Sequence, residues 1–324
     1  MSANERDAVL RRSRTRPTPT GKRVTPQERD LLWFANVHEH GPLSTSFLHG
    51  FSKHRWTSEK RAKERLTDLF HENNTPHGGA YLTRPHQQFR TIDSRYNELV
   101  YDLLPAAEAA LKKHGLYQEY RAGHTGPWLH RYMVSCITAS IELATLDNPN
   151  LAYIPGSTIL AQAKATLRFP TEIEEPDTGY TYTKDLIPDA VFGLEYKQGN
   201  QRSYRFFALE ADRGTEPTTT ANFNRKSHLR TLLQYRDYIG AGGYKEHLNL
   251  TAPLLVLNVF SDAKKCRKVQ ELAADLGGGR GSNYLLFQTF PDFGGAFRPP
   301  RPNRALLTEP WERAGEEPFN IARE

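Results

Sequence analysis

Three carboxylates stand where strand geometry would gather them: Asp189, directly after Pro188, and the pair Glu210 and Asp212, one residue apart. Residues 186–195 read as a strand, 197–201 as a turn and 204–212 as a second strand, so the two strands form a hairpin. Strand side chains alternate, which puts Glu210 and Asp212 on one face of their strand, with Asp189 on the neighbouring strand able to face the same way. Such an oxygen-rich cavity suits Mg²⁺, which takes one or two carboxylates and leaves room for water and phosphate. The expectation is that Asp189, Glu210 and Asp212 converge on one divalent cation. For any single acid, a surface carboxylate or a salt bridge is the plainer reading. The trio carries more weight because Glu210 and Asp212 close a run of aromatic and aliphatic residues, where acids are costly to bury without a partner. Arg213, next in line, offers the alternative of a structural ion pair with no metal.

The elements that must position these acids follow from periodicity. A helix over 219–239 has apolar residues at Leu229, Leu232, Leu233 and Ile239, and Pro253–Phe260 is a strongly apolar strand. A helix over Asp262–Leu276 ends at three glycines, and Asn283–Phe290 is a last strand. Upstream, Pro127–Leu146 is a helix and Leu151–Ile154 a short apolar stretch. Residues 158–169 form a short helix or bent strand, and 170–185 an acidic, Thr/Tyr-rich hairpin or loop. From 291 the chain is rich in Pro, Arg and Glu and reads as an irregular tail with Trp311 and Phe319 as anchors.

Pro188-Asp189 followed by Glu210-Ala211-Asp212 resembles the PD-(D/E)xK nuclease superfamily, and the element order of helix, strands, acid-bearing hairpin, helix and strand fits that core. The resemblance implies Asp189 and Glu210 as metal-holding residues with Asp212 assisting. One departure matters: Asp212 stands where the motif has Lys, a residue that positions the attacking water and stabilises charge on the phosphate. Lys226 or Arg225, on the following helix, can substitute by migration; otherwise the domain is catalytically dead.

The N-terminal third has a different character. Thr25-Pro26 with Glu28 is a helix-start pattern, and the helix stops near Gly41-Pro42. Ser44 caps a short second helix. Ser58 caps a third, in which Ala62, Leu66, Leu69 and Phe70 form one apolar stripe. Lys60, Arg61, Lys63 and Glu64 lie opposite, with Lys53, Arg55 and Trp56 just before, so this is the candidate recognition helix of a helix-turn-helix. Ala80–Arg84 is a short strand, 98–104 a second, and Pro105 opens a helix that ends at Gly115. Two strands after the third helix make a winged helix, with Arg84, His86, Gln87, Gln88 and Arg90 in a long wing suited to phosphate or minor-groove contact. A solvated loop is the plain alternative.

The chain is also similar to the replication-relaxation family of plasmid and mobile-element proteins over roughly residues 26–290. The likeness rests on the winged helix, Val100–Pro105, Ile187-Pro188-Asp189-Ala190, the run Ala208–Glu216 and the Lys226…Tyr235 helix. It implies DNA and other replication or mobilisation proteins as partners. The fold expected is α+β: a basic arm over 1–24, a winged helix-turn-helix over 25–115, a PD-(D/E)xK-like α/β domain with a mixed sheet over 124–290, and a tail over 291–324. Three functions fit: a DNA-binding protein of a plasmid or other mobile element, an active Mg²⁺-dependent endonuclease using Asp189, Glu210, Asp212 and Lys226, or a non-catalytic regulator or scaffold.

Composition bounds these readings. The 324 residues are 38% hydrophobic and 25% charged, ample for a core. No apolar run approaches a membrane span, and no apolar stretch follows the basic N-terminus as a secretory signal requires. The two cysteines, Cys136 and Cys266, lack metal spacing and fit a reducing cytoplasm. Residues 1–24 hold seven Lys and Arg against two acids, which accounts for most of the formal charge of +6. Such an arm can lie on a phosphate backbone, or serve only as a solubilising tail. The histidines show no HExxH or paired spacing, and Gly277–Gly281 lacks the GK[ST] of a phosphate loop.

Overall fold

A computed structural model describes residues 12–73, 78–120, 126–279, 281–293 and 297–323. It divides into two compact units, one from Met1–Gln118, Pro127–Leu143 and Gly295–Asn303, the other from Glu119–Gly126, Ala144–Gly294 and Arg304–Glu324.

The first unit runs α1 (Glu28–His40), β1 (Leu43–Ser44), α2 (Thr45–Ser52), α3 (Glu59–His71), β2 (Leu82–Thr83), β3 (Val100–Leu103), α4 (Pro105–Lys113) and most of α5 (Trp128–Thr145). The three short strands form an antiparallel sheet in the order β1-β3-β2. The α1 start is two residues later than Thr25-Pro26 suggests. Gln27 is the cap, and its N–H donates to Asp30 Oδ2 at 2.8 Å in a capping box. Asp30, fully buried, is also gripped by Arg65 of α3 through Nε at 3.0 Å and Nη2 at 2.5 Å, which ties the two helices together. Ser58 caps α3 as the sequence predicts, and Leu66 and Leu69 of its apolar stripe bury fully with Trp33, Phe34, Phe47 and Leu48.

Two expectations change here. The predicted wing is not a free loop: it folds into 3-10 turns at His86–Phe89 and Ile92–Tyr96, and the Gln88 amide bonds both backbone groups of Val100 at 2.9 Å. The predicted basic arm is packed along α3 from residue 12 onward; residues 1–11 lie outside the described residues. Arg12 reaches Glu72 at 2.7 Å, the Thr18 and Thr20 N–H groups donate to His71 and Glu72, Lys22 pairs with Asp68, and Val24 is fully buried. The composition showed no apolar period because hydroxyls, backbone and charge, with a single valine, make these contacts.

The second unit is built on a seven-stranded mixed sheet in the order β12-β11-β10-β9-β8-β7-β4. Its elements are β4 (Leu151–Ile154), α6 (Gly156–Ala163), β5 (Phe169–Glu174), β6 (Thr181–Leu186), β7 (Ala190–Gln198), β8 (Gln201–Asp212), α7 (His228–Gly240), α8 (Gly243–His247), β9 (Leu254–Phe260), α9 (Ala263–Leu276), β10 (Leu285–Thr289), α10 (Ala305–Thr308), β11 (Trp311–Arg313) and β12 (Glu316–Phe319). The fold is thus α+β with a large mixed sheet. β7 and β8 pair antiparallel as the hairpin pattern predicts, while β8-β9 and β9-β10 are parallel. β9 is buried at every position, which is why it reads as an unbroken apolar run. Tyr235 of α7 and Val269 of α9 pack with Val256 and Phe287 of the sheet in one core. Residues 170–185 form the β5-β6 hairpin. The C-terminal segment is not irregular: β11 and β12 extend the sheet around a turn at Ala314-Gly315, with Gly315 at φ 72°, and Trp311 is fully buried. Its Pro and Arg content hid a hairpin whose signal was that single left-handed glycine.

Candidate functional site

The acids meet where the β7-β8 hairpin opens toward its C-terminal end. Asp189, just ahead of β7, donates its N–H to Leu209 O at 2.9 Å, and its Oδ2 accepts the Ala211 N–H at 2.8 Å. The register Ala190↔Leu209 therefore carries the carboxylate of Asp189 to the stretch of β8 that holds Glu210. Glu210 accepts from Tyr235 Oη at 2.7 Å, and its Oε2 lies 3.6 Å from Lys226 Nζ. The same ammonium is 3.2 Å from Glu216. Lys226 sits just before α7, not on it, because Ser227 is the cap of that helix.

Asp212 does not join this group. Its Oδ1 accepts from the N–H groups of Gly214 at 2.9 Å and Thr215 at 3.0 Å, and its Oδ2 is hydrogen-bonded to His228 Nε2 at 2.9 Å. Alternation gives Glu210 and Asp212 one face, but β8 ends at Asp212 and Gly214, at φ 81°, turns the following N–H groups back onto that carboxylate. Among the described residues no group of three or more His, Cys, Asp and Glu is arranged to hold a metal ion. The three-carboxylate convergence is thus corrected to the pair Asp189 and Glu210, with Asp212 capping a loop. Arg213 feels the charge of Asp212, but the hydrogen bond to Asp212 Oδ2 is made by His228.

The electrostatics follow from this layout. Burial drives the Glu210 carboxyl up to about 7; Lys226 opposes the rise, Asp189 and Glu216 add to it, and the Tyr235 hydrogen bond opposes it. Glu210 in turn holds the Lys226 ammonium well above its ordinary range, against the cost of burial. Burial works against ionisation of Asp212, but the His228 bond and the loop N–H groups outweigh it and keep this carboxyl below its ordinary value. Burial places the Tyr235 hydroxyl well above its ordinary value, so it remains a donor to Glu210.

Sequence reasoning missed Tyr235, Glu216 and His228 as members of the site. His228, Leu232 and Tyr235 are spaced i, i+4, i+7 and all buried, a stripe in which the polar members were masked by the neighbouring leucines. Glu216 had no signal of its own; the loop held by Asp212 brings it to Lys226.

In the first unit, Lys60 and Arg61 are exposed on α3, and Lys53 and Arg90 are exposed elsewhere. Lys63 pairs with Glu59 at 2.7 Å, and Arg55 pairs with Glu28 while lying over the Trp56 ring at 4.8 Å. Arg84 is only 4% exposed; its guanidinium stacks 4.1 Å from the Phe70 ring centroid and donates to Tyr101 Oη at 3.2 Å, so it belongs to the core and not to a wing tip. Gln88 is likewise turned inward. His38 and His40 are buried and bonded to Gln118 O and to Thr138 and Glu142; His124 and Arg280 lie outside the described residues. Neither cysteine is in a disulfide, and both are buried. Among the described residues no helix is long and apolar enough to cross a membrane.

Compared with known proteins, residues 34–254, more than half of the chain, match the model of a family described as replication-relaxation. No curated protein and no solved structure matches.

Proposed function

The chain belongs to the replication-relaxation family, and from that premise we propose that it is a DNA-binding protein acting in the replication, relaxation or mobilisation of a plasmid or other mobile element. The observation that carries this is the first unit. Its order of helix, strand, helix, helix and two strands with the sheet β1-β3-β2 supports a winged-helix reading, and α3 presents exposed Lys60 and Arg61 on the face away from its buried stripe. α3 is the recognition helix in this reading, with Lys53 and Arg90 as flanking phosphate contacts. DNA and other replication or mobilisation proteins are its partners.

The second reading, a Mg²⁺-dependent endonuclease with a PD-(D/E)xK-like core, is favoured by one distance: Lys226 stands 3.6 Å from Glu210, where a migrated motif lysine would serve. The donor set fits Mg²⁺: Asp189 and Glu210 lie close enough to repel each other's charge, Glu216 is held on Lys226, and two carboxylates leave the ion its waters. Asp189 and Glu210 would hold it, and when bound it would supply an activated water and relief of phosphate charge. Lys226 offers a positive charge to a phosphate at the same place, and Tyr235 fixes the Glu210 carboxylate. Asp212 acts through the loop.

Fluorescence anisotropy on duplex DNA across a salt series tests the first reading. Affinity should fall steeply with salt and weaken in Lys60→Ala/Arg61→Ala; a salt-independent or unchanged affinity overturns it. Plasmid nicking in Mg²⁺ or Mn²⁺ tests the second. Activity lost in Asp189→Asn, Glu210→Gln and Lys226→Ala supports it, and intact plasmid in both metals leaves the domain a relic.

A further inference from the structure

The first unit contains a cleft of about 480 Å³ between one flank of α3, the 3-10 turn ending at Tyr96 and residues 298–301. On α3 that flank is Glu59, Lys63 and Thr67, spaced i, i+4, i+8 and adjoining the face with Lys60. Arg14, Lys63, Arg298 and Arg301 line the cleft against Glu59 and Glu98.

The charges do not cancel. Lys63 and Glu59 pair with each other at 2.7 Å. Arg14 donates to the carbonyls of Asn97 at 2.7 Å and Ser94 at 3.4 Å. Arg298 reaches Asp93 only at 3.8 Å between two exposed side chains, a contact that solvent screens. Arg301 makes no close ion pair among the described residues, but it lies near enough to Glu59 and Glu98 for its charge to favour ionisation of both. Glu98 accepts from Ser46 at 2.9 Å, and burial lifts its carboxyl above its ordinary value against the opposing pull of the serine hydrogen bonds and Arg301, so the lining sets Arg14, Lys63, Arg298 and Arg301 against Glu59 and Glu98. The cleft is therefore a net positive cavity, of a volume usual for small-ligand sites.

Its rim carries an aromatic ring with no apolar cover. Tyr96 is 76% exposed, the most exposed large hydrophobic residue among those described. The Arg95 guanidinium lies 4.7 Å from its ring centroid. A ring so exposed has a face available for stacking, and a basic groove beside an aromatic platform is how unpaired nucleic-acid strands are held without sequence preference.

We propose that this cleft binds a nucleoside phosphate, the phosphate on Arg298 and Arg301 and the base on Tyr96. Two sources share that chemistry, a free nucleotide and an unpaired nucleotide of a DNA strand. The strand source rests on the DNA-binding reading of the unit; the chemistry of the cleft does not. A strand held here would lie beside the α3 face that reads duplex, which suits a protein working where duplex meets opened strand.

The test is fluorescence anisotropy of the full-length protein with a labelled short oligo-dT strand, with dTMP as competitor and labelled duplex as control. Tyr96→Ala and Arg301→Glu should each weaken oligo-dT binding about tenfold, as expected for one lost stacking or phosphate contact, while leaving the melting temperature unchanged. Duplex affinity should change far less in these variants, and Lys60→Ala/Arg61→Ala should show the converse. Competition by dTMP as strong as by unlabelled oligo-dT assigns the site to free nucleotide; a strand far stronger than dTMP assigns it to DNA. Oligo-dT retained after duplex binding has failed would leave the cleft standing and remove only its neighbour. No binding of either probe, or binding unchanged in both variants, overturns the proposal.

Discussion

Lys226 Nζ stands 3.6 Å from Glu210 Oε2, and the contact joins the loop before α7 to the C-terminal end of β8. The lysine is the principal influence that opposes protonation of the acid. Lys226→Ala should therefore move the Glu210 carboxyl further above about 7. Carbon-detected NMR titration of the glutamate side chains reads this directly, and an unshifted midpoint would show that the ammonium does not act on Glu210.

Glu210 also gives a signed pH dependence. Its ordinary value is 4.5 and its folded value about 7, so the folded chain holds that proton more tightly. The stability it contributes is fully present below about 4.5 and is lost as pH rises through about 7. Its size is on the order of 3 kcal/mol. Urea unfolding at a series of pH values should show the decline in the parent and a flatter profile in Glu210→Gln, which keeps an acceptor for Tyr235. An equal decline in both would assign the slope to other groups.

Residues 12–24 should matter for folding as well as for charge. Deleting them removes the Arg12–Glu72 pair, the bonds from Thr18 and Thr20, and the fully buried Val24. The valine alone is worth about 1.5–3 kcal/mol when buried. The truncated chain should melt several degrees lower, and Val24→Ala should reproduce part of the loss. An unchanged melting temperature would mean that the segment adds nothing to the body.

Arg61 and Arg84 should separate surface from core. Arg61→Ala should lower the slope of log affinity against log salt by about 0.9 with little effect on stability. Arg84→Ala removes a buried guanidinium from Phe70 and Tyr101 and should cost about 1–3 kcal/mol in unfolding while leaving the salt slope alone. The reverse pattern would put Arg84 on the DNA.

What the sequence made legible was periodic. The hairpin of β7 and β8, the buried run of β9 and the apolar stripe of α3 each repeat at the spacing their element demands. The fate of individual polar side chains was not legible, because it depends on contacts distant in sequence. Asp212 was read as a metal ligand, and only the turn at Gly214 together with the arrival of His228 on α7 diverts it. Arg84 lies in a polar stretch, yet Phe70 and Tyr101 draw it inward. Lys226 could be named because a cation was missing from the motif and the next element offered one. Tyr235 and Glu216 could not, since nothing in a local window distinguishes a tyrosine that holds a carboxylate from one that fills a core.

The clasp of Gln88 on Val100 bears on how the protein avoids sticking to itself. β2 stops at Thr83, so β3 would otherwise present the N–H and C=O of Val100 to any passing strand. A side-chain amide sets a donor and an acceptor side by side as a strand backbone does, and Gln88 turns both to Val100, at 2.9 Å each, while its amide nitrogen also donates to Pro85 O at 3.1 Å. The sheet is closed by a single residue acting as a surrogate strand, where other proteins use a bulge, a proline or a lysine to blunt an edge.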